Sequence, residues 1–391
     1  MLREYKRSFS KRHKVLSLIL KIAIPVLMAV SIFMFWFIPN APFYTRKVAN
    51  SYSEFIFPKV SYVGNCFSNI FMFSFTEMIV IVGSIVLIPV IILIIAGFIK
   101  SIIRKRLRKF LYRGLCIILA LVLLIFGSFQ LMHGFNYRRD TVAARMGLKL
   151  TEREYSEIYA VEMWAYMGMI QARSELGNDI NGVSHMKTSF AETVFDANVA
   201  LEYINRQYDL GMSSTFVRAK PVMVSSLWSY THIIGMYDPM LGESNINVDY
   251  MTVYEFPYTV CHELAHAKGY AKEYDANFIA AIACIMSSRA DFRYSGYFQI
   301  FISVGSLLGN LDRFYSLSEF EPVLKDILAD QAYWSSKETG RISDVVAEVS
   351  EASNDTYLEA NGQEGGTDTY TVDSNDYVEY FYKWIMPELM K

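Results

Sequence analysis

The sequence has few cysteines and almost no net charge, and both shortages narrow the classes of protein it can belong to. Its four cysteines among 391 residues show no Cys-x-x-Cys spacing, so no disulfide framework is predicted. The 37 basic and 39 acidic residues nearly cancel, leaving a formal net charge of −2. Because nucleic-acid binding relies on an excess of positive charge, no nucleic-acid partner is expected.

Hydrophobic residues, by contrast, are in excess. They make up 53% of the sequence, aromatic residues make up 15%, and the mean hydropathy is +0.21. This composition is too apolar for an ordinary soluble protein and indicates membrane segments attached to one folded domain. Three apolar runs predict transmembrane helices at about 15–38, 78–99 and 111–132. Since no small-x-small cleavage site follows the first run closely, we expect an uncleaved helix rather than a signal peptide.

Basic residues are distributed unevenly around these runs. Six precede the first run and six lie in the short connection at 100–110, whereas the longer connection at 39–77 has only three. Connections rich in Lys and Arg stay in the cytoplasm. We therefore expect a multi-pass protein of the cell membrane with a cytoplasmic N-terminus. Residues 1–134 would form the membrane domain, and residues 135–391 would form an extracytoplasmic domain.

One short motif in the outer domain indicates chemistry. His262 and His266 are four residues apart, so on a helix they project from the same face and can bind one Zn²⁺. Glu263 would then lie beside the metal and act as the general base on its water. The competing interpretation is a surface helix with incidental histidines. The residues around the motif argue against it, because they suit a buried helix that begins at a proline and ends at a glycine: Pro257, Val260, Cys261, Leu264, Ala265 and Gly269.

A third zinc ligand is expected just after this helix. A turn at Gly269 lets the chain reverse and bring either Glu273 or Asp275 back to the metal. We favour Glu273 as the ligand and keep Asp275 as the alternative. Asn277, one helical turn beyond Glu273, is predicted to orient the ligands by a hydrogen bond.

The remaining pattern of the outer domain is mainly helical. Amphipathic helices are predicted at about 155–176 and 190–208, and a β-hairpin is predicted at 234–248, directly before the zinc helix. A strand at 244–248 with an exposed edge would suit a peptidase, because an extended peptide can add to such an edge. A purely structural hairpin packed on the helix is the alternative.

The C-terminal part offers two further candidate residues. Arg293 and Tyr294 are candidates for stabilising an oxyanion by hydrogen bonds; the alternative is that they cap or pack a helix. The polar stretch at 335–376 is typical of a surface connection. The aromatic tail at 376–390 is predicted to pack back on the domain.

Together these motifs resemble a known family. The resemblance is to the bacterial membrane proteins of the domain of unknown function 3810 family; it covers nearly the whole chain and rests on Asn136–Arg139, Gly235–Pro239, Gly242–Asn247, His262–Gly269, Asp275–Phe278, Phe292–Tyr297 and Tyr357–Gly362. It implies a membrane-bound zinc metallopeptidase. The Glu273-x-x-Ala276-Asn277 element is also similar to the third-ligand motif of gluzincin peptidases, in which the Glu binds zinc and an Asp or Asn supports it.

The predicted fold is therefore an α-helical membrane anchor joined to an α+β, mainly helical, zincin-like metallopeptidase domain with a small β-hairpin or sheet beside the active-site helix. Its predicted partners are a peptide or protein substrate at the cell envelope and membrane lipid. Two alternatives stay open: a zinc-binding envelope sensor or scaffold without proteolysis, and a zinc amidase acting on envelope polymers. The sequence sets neither the substrate nor the oligomeric state.

Overall fold

The computed structural model describes residues 22–33, 45–309, 311–337 and 374–391. The chain divides into two compact units, and each consists of two separate stretches of sequence. The first unit comprises Met1–Val48 and Met78–Leu131; the second comprises Ala49–Glu77 and Met132–Lys391. Residues 49–77 of the connection between the first two apolar runs therefore belong to the second unit.

The described elements are mostly helices. In chain order, the helices are α1 (Ile22–Ile32), α2 (Arg46–Ser51), α3 (Phe57–Ser68), α4 (Phe75–Ile103), α5 (Leu107–Met132), α6 (Val142–Arg145), α7 (Tyr155–Ser174), α8 (Phe190–Tyr208), α9 (Ser225–Trp228), α10 (Phe256–Ala267), α11 (Glu273–Ile285), α12 (Ala290–Leu308), α13 (Glu321–Lys337), α14 (Ser374–Tyr380) and α15 (Met386–Leu389). Single π-helical turns join α2 to α3 (Tyr52–Ile56) and α14 to α15 (Phe381–Ile385). The three strands are β1 (Lys220–Pro221), β2 (Gly235–Asp238) and β3 (Glu243–Ile246).

Two helices of the described residues, α4 and α5, are long and apolar enough to cross a membrane. They match the predicted runs at 78–99 and 111–132 and extend a few residues further at their starts. The prediction of three such helices is corrected to two. Within the first predicted run, α1 is an apolar helix about 17 Å long, roughly half the hydrocarbon thickness. The other residues of that run lie outside the described ranges.

The core of the second unit is a layer of packed helices. Helix α11 lies against both α10 and α12, α8 packs on α10 and α11, and α7 packs along α12. The predicted helices at 155–176 and 190–208 are present as α7 and α8. On α7 the buried apolar residues recur at helical spacing, at Val161, Ala165, Met169 and Ala172. Ser189 and Glu192 begin α8 with a capping box, in which each side chain accepts the backbone N–H of the other residue.

A small sheet lies beside α10, as predicted, but its strand order differs from the expectation. β3 is the central strand: it pairs parallel with β1 and antiparallel with β2. The β2–β3 pair is the predicted hairpin. Because all four residues of β3 are buried and both its edges are paired, this strand has no edge for a peptide. Among the described residues, β2 is the outer strand on the side facing away from β1.

The segment at 49–77 is anchored to this sheet by buried polar groups. The Ser68 hydroxyl donates to Glu243 Oε2 at 2.9 Å, and the Thr76 backbone N–H donates to Glu243 Oε1 at 2.9 Å. The ammonium group of the fully buried Lys220 donates to the Ser68 carbonyl at 2.9 Å. Because these groups are out of contact with water, their hydrogen bonds fix the segment on the unit.

The aromatic tail returns to the helical core. The Tyr380 hydroxyl lies 2.9 Å from the Tyr208 hydroxyl on α8, and Val378 and Tyr380 are buried. The predicted polar connection at 335–376 lies mostly outside the described residues.

Candidate metal centre

Helix α10 carries the His-Glu-x-x-His motif in the middle of the second unit. Pro257 occupies its first turn, where the missing N–H is not needed. Val260, Cys261, Leu264 and Ala265 are completely buried, so the helix is enclosed by neighbours rather than exposed on the surface. The interpretation of the motif as part of a surface helix therefore does not apply.

The chain reverses directly after α10. Gly269 adopts φ +107°, a conformation that side-chain-bearing residues rarely take, and α11 begins four residues later at Glu273. His266 thus lies in the last turn of one helix and Glu273 in the first turn of the next. Both positions suit the helix dipoles, which favour positive charge at a C-terminus and negative charge at an N-terminus.

The turn brings three side chains together. His262 Nε2 lies 3.0 Å from His266 Nε2 and 3.2 Å from Glu273 Oε2, and His266 Nε2 lies 3.5 Å from Glu273 Oε1. Ligands about 2.1 Å from a tetrahedral zinc ion are separated from one another by about 3.3 Å. The three distances are close to that value, and two imidazoles with one carboxylate form a common donor set for catalytic zinc. The residues therefore fit a zinc ion.

The Nδ1 nitrogen of His266, which faces away from the other two side chains, is held by a backbone carbonyl of the turn. His266 Nδ1 lies 2.7 Å from the Tyr270 carbonyl, so Nδ1–H donates to that carbonyl and Nε2 is the nitrogen that faces His262 and Glu273. Tyr270 is fixed in turn: its hydroxyl donates to the Leu210 carbonyl at 2.7 Å, and the Arg139 guanidinium lies 3.9 Å from its ring centre. Such outer contacts set the tautomer and the direction of a metal-binding histidine.

In this group, His266 and the Glu273 carboxylate each stabilise the charged form of the other. Burial alone would lower the pKa of His266, but the Glu273 carboxylate outweighs it and raises that pKa to about 9. Burial would raise the pKa of Glu273, yet the two histidines hold it well below its usual range. Glu273 is therefore an anion at neutral pH, as a metal ligand must be.

Glu263 points its carboxylate towards the sheet. Burial raises its pKa to about 7, with Glu273 adding to this and the two histidines opposing it. A Cβ at Gly235 on β2 would lie 2.5 Å from Glu263 Oε1, so only glycine leaves room for this carboxylate. The other oxygen, Oε2, is buried and has no hydrogen-bond partner among the described residues. A buried carboxylate oxygen without a partner indicates a position for a reacting group or a water molecule.

Asp275 and Asn277 lie on α11 but face other neighbours. Asp275 Oδ1 accepts the Val142 backbone N–H at 2.7 Å, which ties α6 to α11. Asp275 is not one of the three residues whose donor atoms converge. Asn277 Oδ1 accepts the Tyr258 hydroxyl at 2.9 Å, and the Tyr258 ring centre lies 6.2 Å from that of His262.

Arg293 and Tyr294 are not brought to the histidines. The Arg293 guanidinium pairs with Glu175 and donates to the Ser288 carbonyl, just beyond the C-terminal end of α11. Since α11 is about 20 Å long, this end is remote from Glu273. Tyr294 is completely buried, and its hydroxyl donates to Asp326 at 2.8 Å. The oxyanion assignment is therefore corrected: both residues hold helices together.

Two aromatic residues near the candidate metal ligands were missed by the sequence analysis. The His133 ring centre lies 6.3 Å from that of His266 and 5.1 Å from that of Tyr237, and Tyr237 lies 6.4 Å from His266. Burial, together with the charge of His266, lowers the pKa of His133 to about 3, so its ring is neutral. Tyr237 belongs to a motif used for the family resemblance. His133, at the end of an apolar run, carries no signal in spacing or composition.

The chain belongs to the family described as "Protein of unknown function (DUF3810)", whose model matches residues 52–373. The family resemblance is thereby confirmed, and the family description assigns no activity. No curated protein and no solved structure matches the chain.

Proposed function

We propose that this protein is a membrane-anchored zinc metallopeptidase. The observation that supports this is the convergence of His262, His266 and Glu273 beside Glu263, whose carboxylate has one oxygen without a hydrogen-bond partner in the described part of the chain. Three protein ligands leave the fourth position of a tetrahedral zinc ion for a water molecule or a substrate, as in catalytic rather than structural sites.

Each residue has a distinct role in the proposed reaction. His262 Nε2, His266 Nε2 and the Glu273 carboxylate would hold zinc. When bound, the ion would polarise the scissile carbonyl and lower the pKa of water towards about 7. The Glu263 carboxylate would accept the proton of the attacking water and pass it to the leaving amine nitrogen. A pKa of about 7 suits both halves of that transfer near neutral pH.

Strand β2 offers the substrate a place to bind. It is one of the two outer strands of the sheet among the described residues, and its first residue, Gly235, lies next to the Glu263 carboxylate. A peptide that adds to β2 as a further strand would pass close to the proposed base. We therefore propose that β2 binds the peptide, in place of the strand at 244–248 that was expected to do so from the sequence.

The proposed location is the outer face of the cell membrane. Helix α4 leaves the second unit, α5 returns to it, and the basic turn at 104–106 joins them, with Arg108 and Lys109 following in the first turn of α5. If α4 and α5 cross the membrane, both stretches of the second unit are on the same side and the basic turn is on the other. Positive charge favours the cytoplasm for that turn. The metal centre is then extracytoplasmic.

The test uses the full-length chain purified in detergent and loaded with zinc. A peptide-library digest should give cleavage products, and a zinc chelator should abolish them. Glu263→Gln should keep its zinc and lose turnover by at least about 100-fold, because glutamine cannot accept the proton. Glu321→Gln, at an exposed glutamate of α13, is the matched control and should cleave normally. Cleavage that survives in Glu263→Gln would refute the proposal.

A second candidate is a zinc-binding sensor or scaffold without proteolysis. The observation that favours it is burial, since Glu263 is only 5% exposed and His266 only 6%. In that case the chain would bind zinc stoichiometrically but give no product from any peptide pool. The digest therefore separates the two candidates.

A further inference from the structure

Helix α3 in the second unit buries polar side chains and exposes apolar ones, which is the reverse of the usual distribution. A helix on the surface of a soluble domain turns its apolar side chains inwards and its polar ones outwards. On α3 the buried residues are Phe57 in the first turn and, along the rest of the helix, the polar Ser61, Asn65 and Ser68. Its outward side chains include Tyr62, Val63 and Phe67, which are 59%, 69% and 47% exposed. We call these three residues the outer face of α3.

The reversed orientation is fixed by hydrogen bonds. The Ser61 hydroxyl donates to the Ala267 carbonyl at the end of α10 at 3.3 Å, and the Asn65 amide donates to the Ser61 carbonyl at 2.9 Å. The Ser68 hydroxyl donates to the buried Glu243 carboxylate. Rotating α3 to hide its outer face would break the bonds that Ser61 and Ser68 make to other segments and would leave buried polar groups unpaired, whereas the Asn65 bond lies within α3 itself. The apolar side therefore stays outward.

The residues on either side of α3 extend this apolar surface. Phe55, Ile56, Ile70 and Met72 are all exposed. From residue 55 to residue 75, Lys59 is the sole charged residue. Phe67, Phe71 and Phe75 form a cluster in which Phe71 and Phe75 stack with ring centres 4.6 Å apart. Aromatic residues beside an apolar helix are typical of the boundary between a bilayer and water.

The position of α4 identifies what covers this surface. α4 begins at Phe75, directly after the short connection at 69–74, and its first turn is fixed to the second unit. There the Glu77 carboxylate accepts the Met223 backbone N–H at 2.8 Å. The point at which the chain would enter the membrane is thus held a few residues from α3.

We propose that the outer face of α3 rests in the interfacial layer of the lipid bilayer, as a monotopic contact additional to the membrane-spanning helices. Apolar side chains are then removed from water without any rearrangement of the inner hydrogen bonds. The proposal rests on membrane crossing by α4. It is independent of the proposed peptidase activity, because none of its observations involves the metal ligands.

The test compares two fluorescent probes on the full-length chain in phosphatidylcholine vesicles. Cys66 and Cys116 are first replaced by serine; Cys261 and Cys284 are buried. One variant then carries Val63→Cys on α3. The matched control carries Met167→Cys on α7, at a residue that is 65% exposed and whose helix packs on α12. Each cysteine is labelled with the same environment-sensitive fluorophore.

Two quenchers report the surroundings of each probe. Lipids with a nitroxide on the acyl chain should quench the probe at residue 63 severalfold more than the probe at residue 167, and iodide in the water should show the opposite order. Equal iodide quenching at both positions would overturn the proposal. Protection of residue 63 from both quenchers would also overturn it, because a second copy of the chain or another protein would then cover α3.

Discussion

Helices α10 and α3 both bury polar side chains, but the two sets differ in their partners. On α3, Ser61, Asn65 and Ser68 each make hydrogen bonds to the protein. On α10, His262 Nδ1 and Glu263 Oε2 are buried without a hydrogen-bond partner among the described residues. Buried polar groups are expensive unless they are paired.

The difference separates structural polar groups from functional ones. The hydrogen bonds of Ser61 and Ser68 attach α3 to the rest of the unit and hold its apolar side outward, so their role is structural. On α10, His262 and His266 converge with Glu273 on one point, which indicates a ligand. The comparison predicts that changes on α10 affect zinc and leave the fold intact, whereas changes on α3 affect the stability of the fold and leave zinc in place.

The largest expected effect is the loss of zinc. The purified chain should hold about one zinc ion, and His262→Ala or His266→Ala should abolish binding because two ligands cannot retain the ion. Metal content is measured by mass spectrometry after dialysis. His185→Ala, at an exposed histidine before α8, is the control and should keep its zinc. A full equivalent of zinc in either motif variant would show that these histidines do not form the metal site.

The next effect identifies the third ligand. Glu273→Gln should weaken zinc affinity by at least about 100-fold, since changes in residues that merely support a ligand already reduce affinity by about 10–100-fold. Asp275→Asn should change it little, because an amide oxygen can still accept the Val142 N–H. Competition titrations with a chelator measure both variants. Strong loss in Asp275→Asn with little loss in Glu273→Gln would move the ligand two residues along the chain.

The convergence of His262, His266 and Glu273 was easier to predict from the sequence than the residues around them, and the reason is distance along the chain. Both histidines lie on α10, and Glu273 begins α11 directly after the turn. Helical spacing and the turn at Gly269 were therefore enough to predict that the three side chains come together. Tyr237 and His133 approach His266 only through the folding of remote segments. Helical spacing contains no information about such contacts.

The errors arose where local pattern and packing disagree. The strand at 244–248 was expected to have a free edge, but β1, only two residues long, pairs with it and makes it central. Arg293 and Tyr294 suited an oxyanion role by residue type. Their partners, Glu175 directly after α7 and Asp326 on α13, hold them elsewhere. The connection at 39–77 contained apolar residues whose outward direction no spacing rule predicts.

The zinc affinity of the α10 group should depend on pH, whereas the hydrogen bonds of α3 give no reason for such a dependence. Glu273 raises the pKa of His266 to about 9, so below that pH the imidazole must release a proton before it can bind metal. Apparent zinc affinity should therefore rise about tenfold per pH unit as the pH approaches 9 and then level off. Chelator competition across this range measures it. In Glu273→Gln the levelling should begin at lower pH; an unchanged profile would contradict the role of the carboxylate.

The smallest expected effect concerns α3. Ser68→Ala removes a buried hydroxyl that donates to Glu243 Oε2 at 2.9 Å, while the Thr76 N–H still donates to the other carboxylate oxygen. Losing one bond to a buried charge should lower the free energy of unfolding by about 1–3 kcal/mol. Thermal unfolding of the zinc-loaded chain in detergent measures the change. Zinc content should stay at one equivalent, because Ser68 serves the sheet rather than the metal. Loss of zinc at unchanged stability would remove the distinction between the two helices, since a polar residue of α3 would then act on the metal centre.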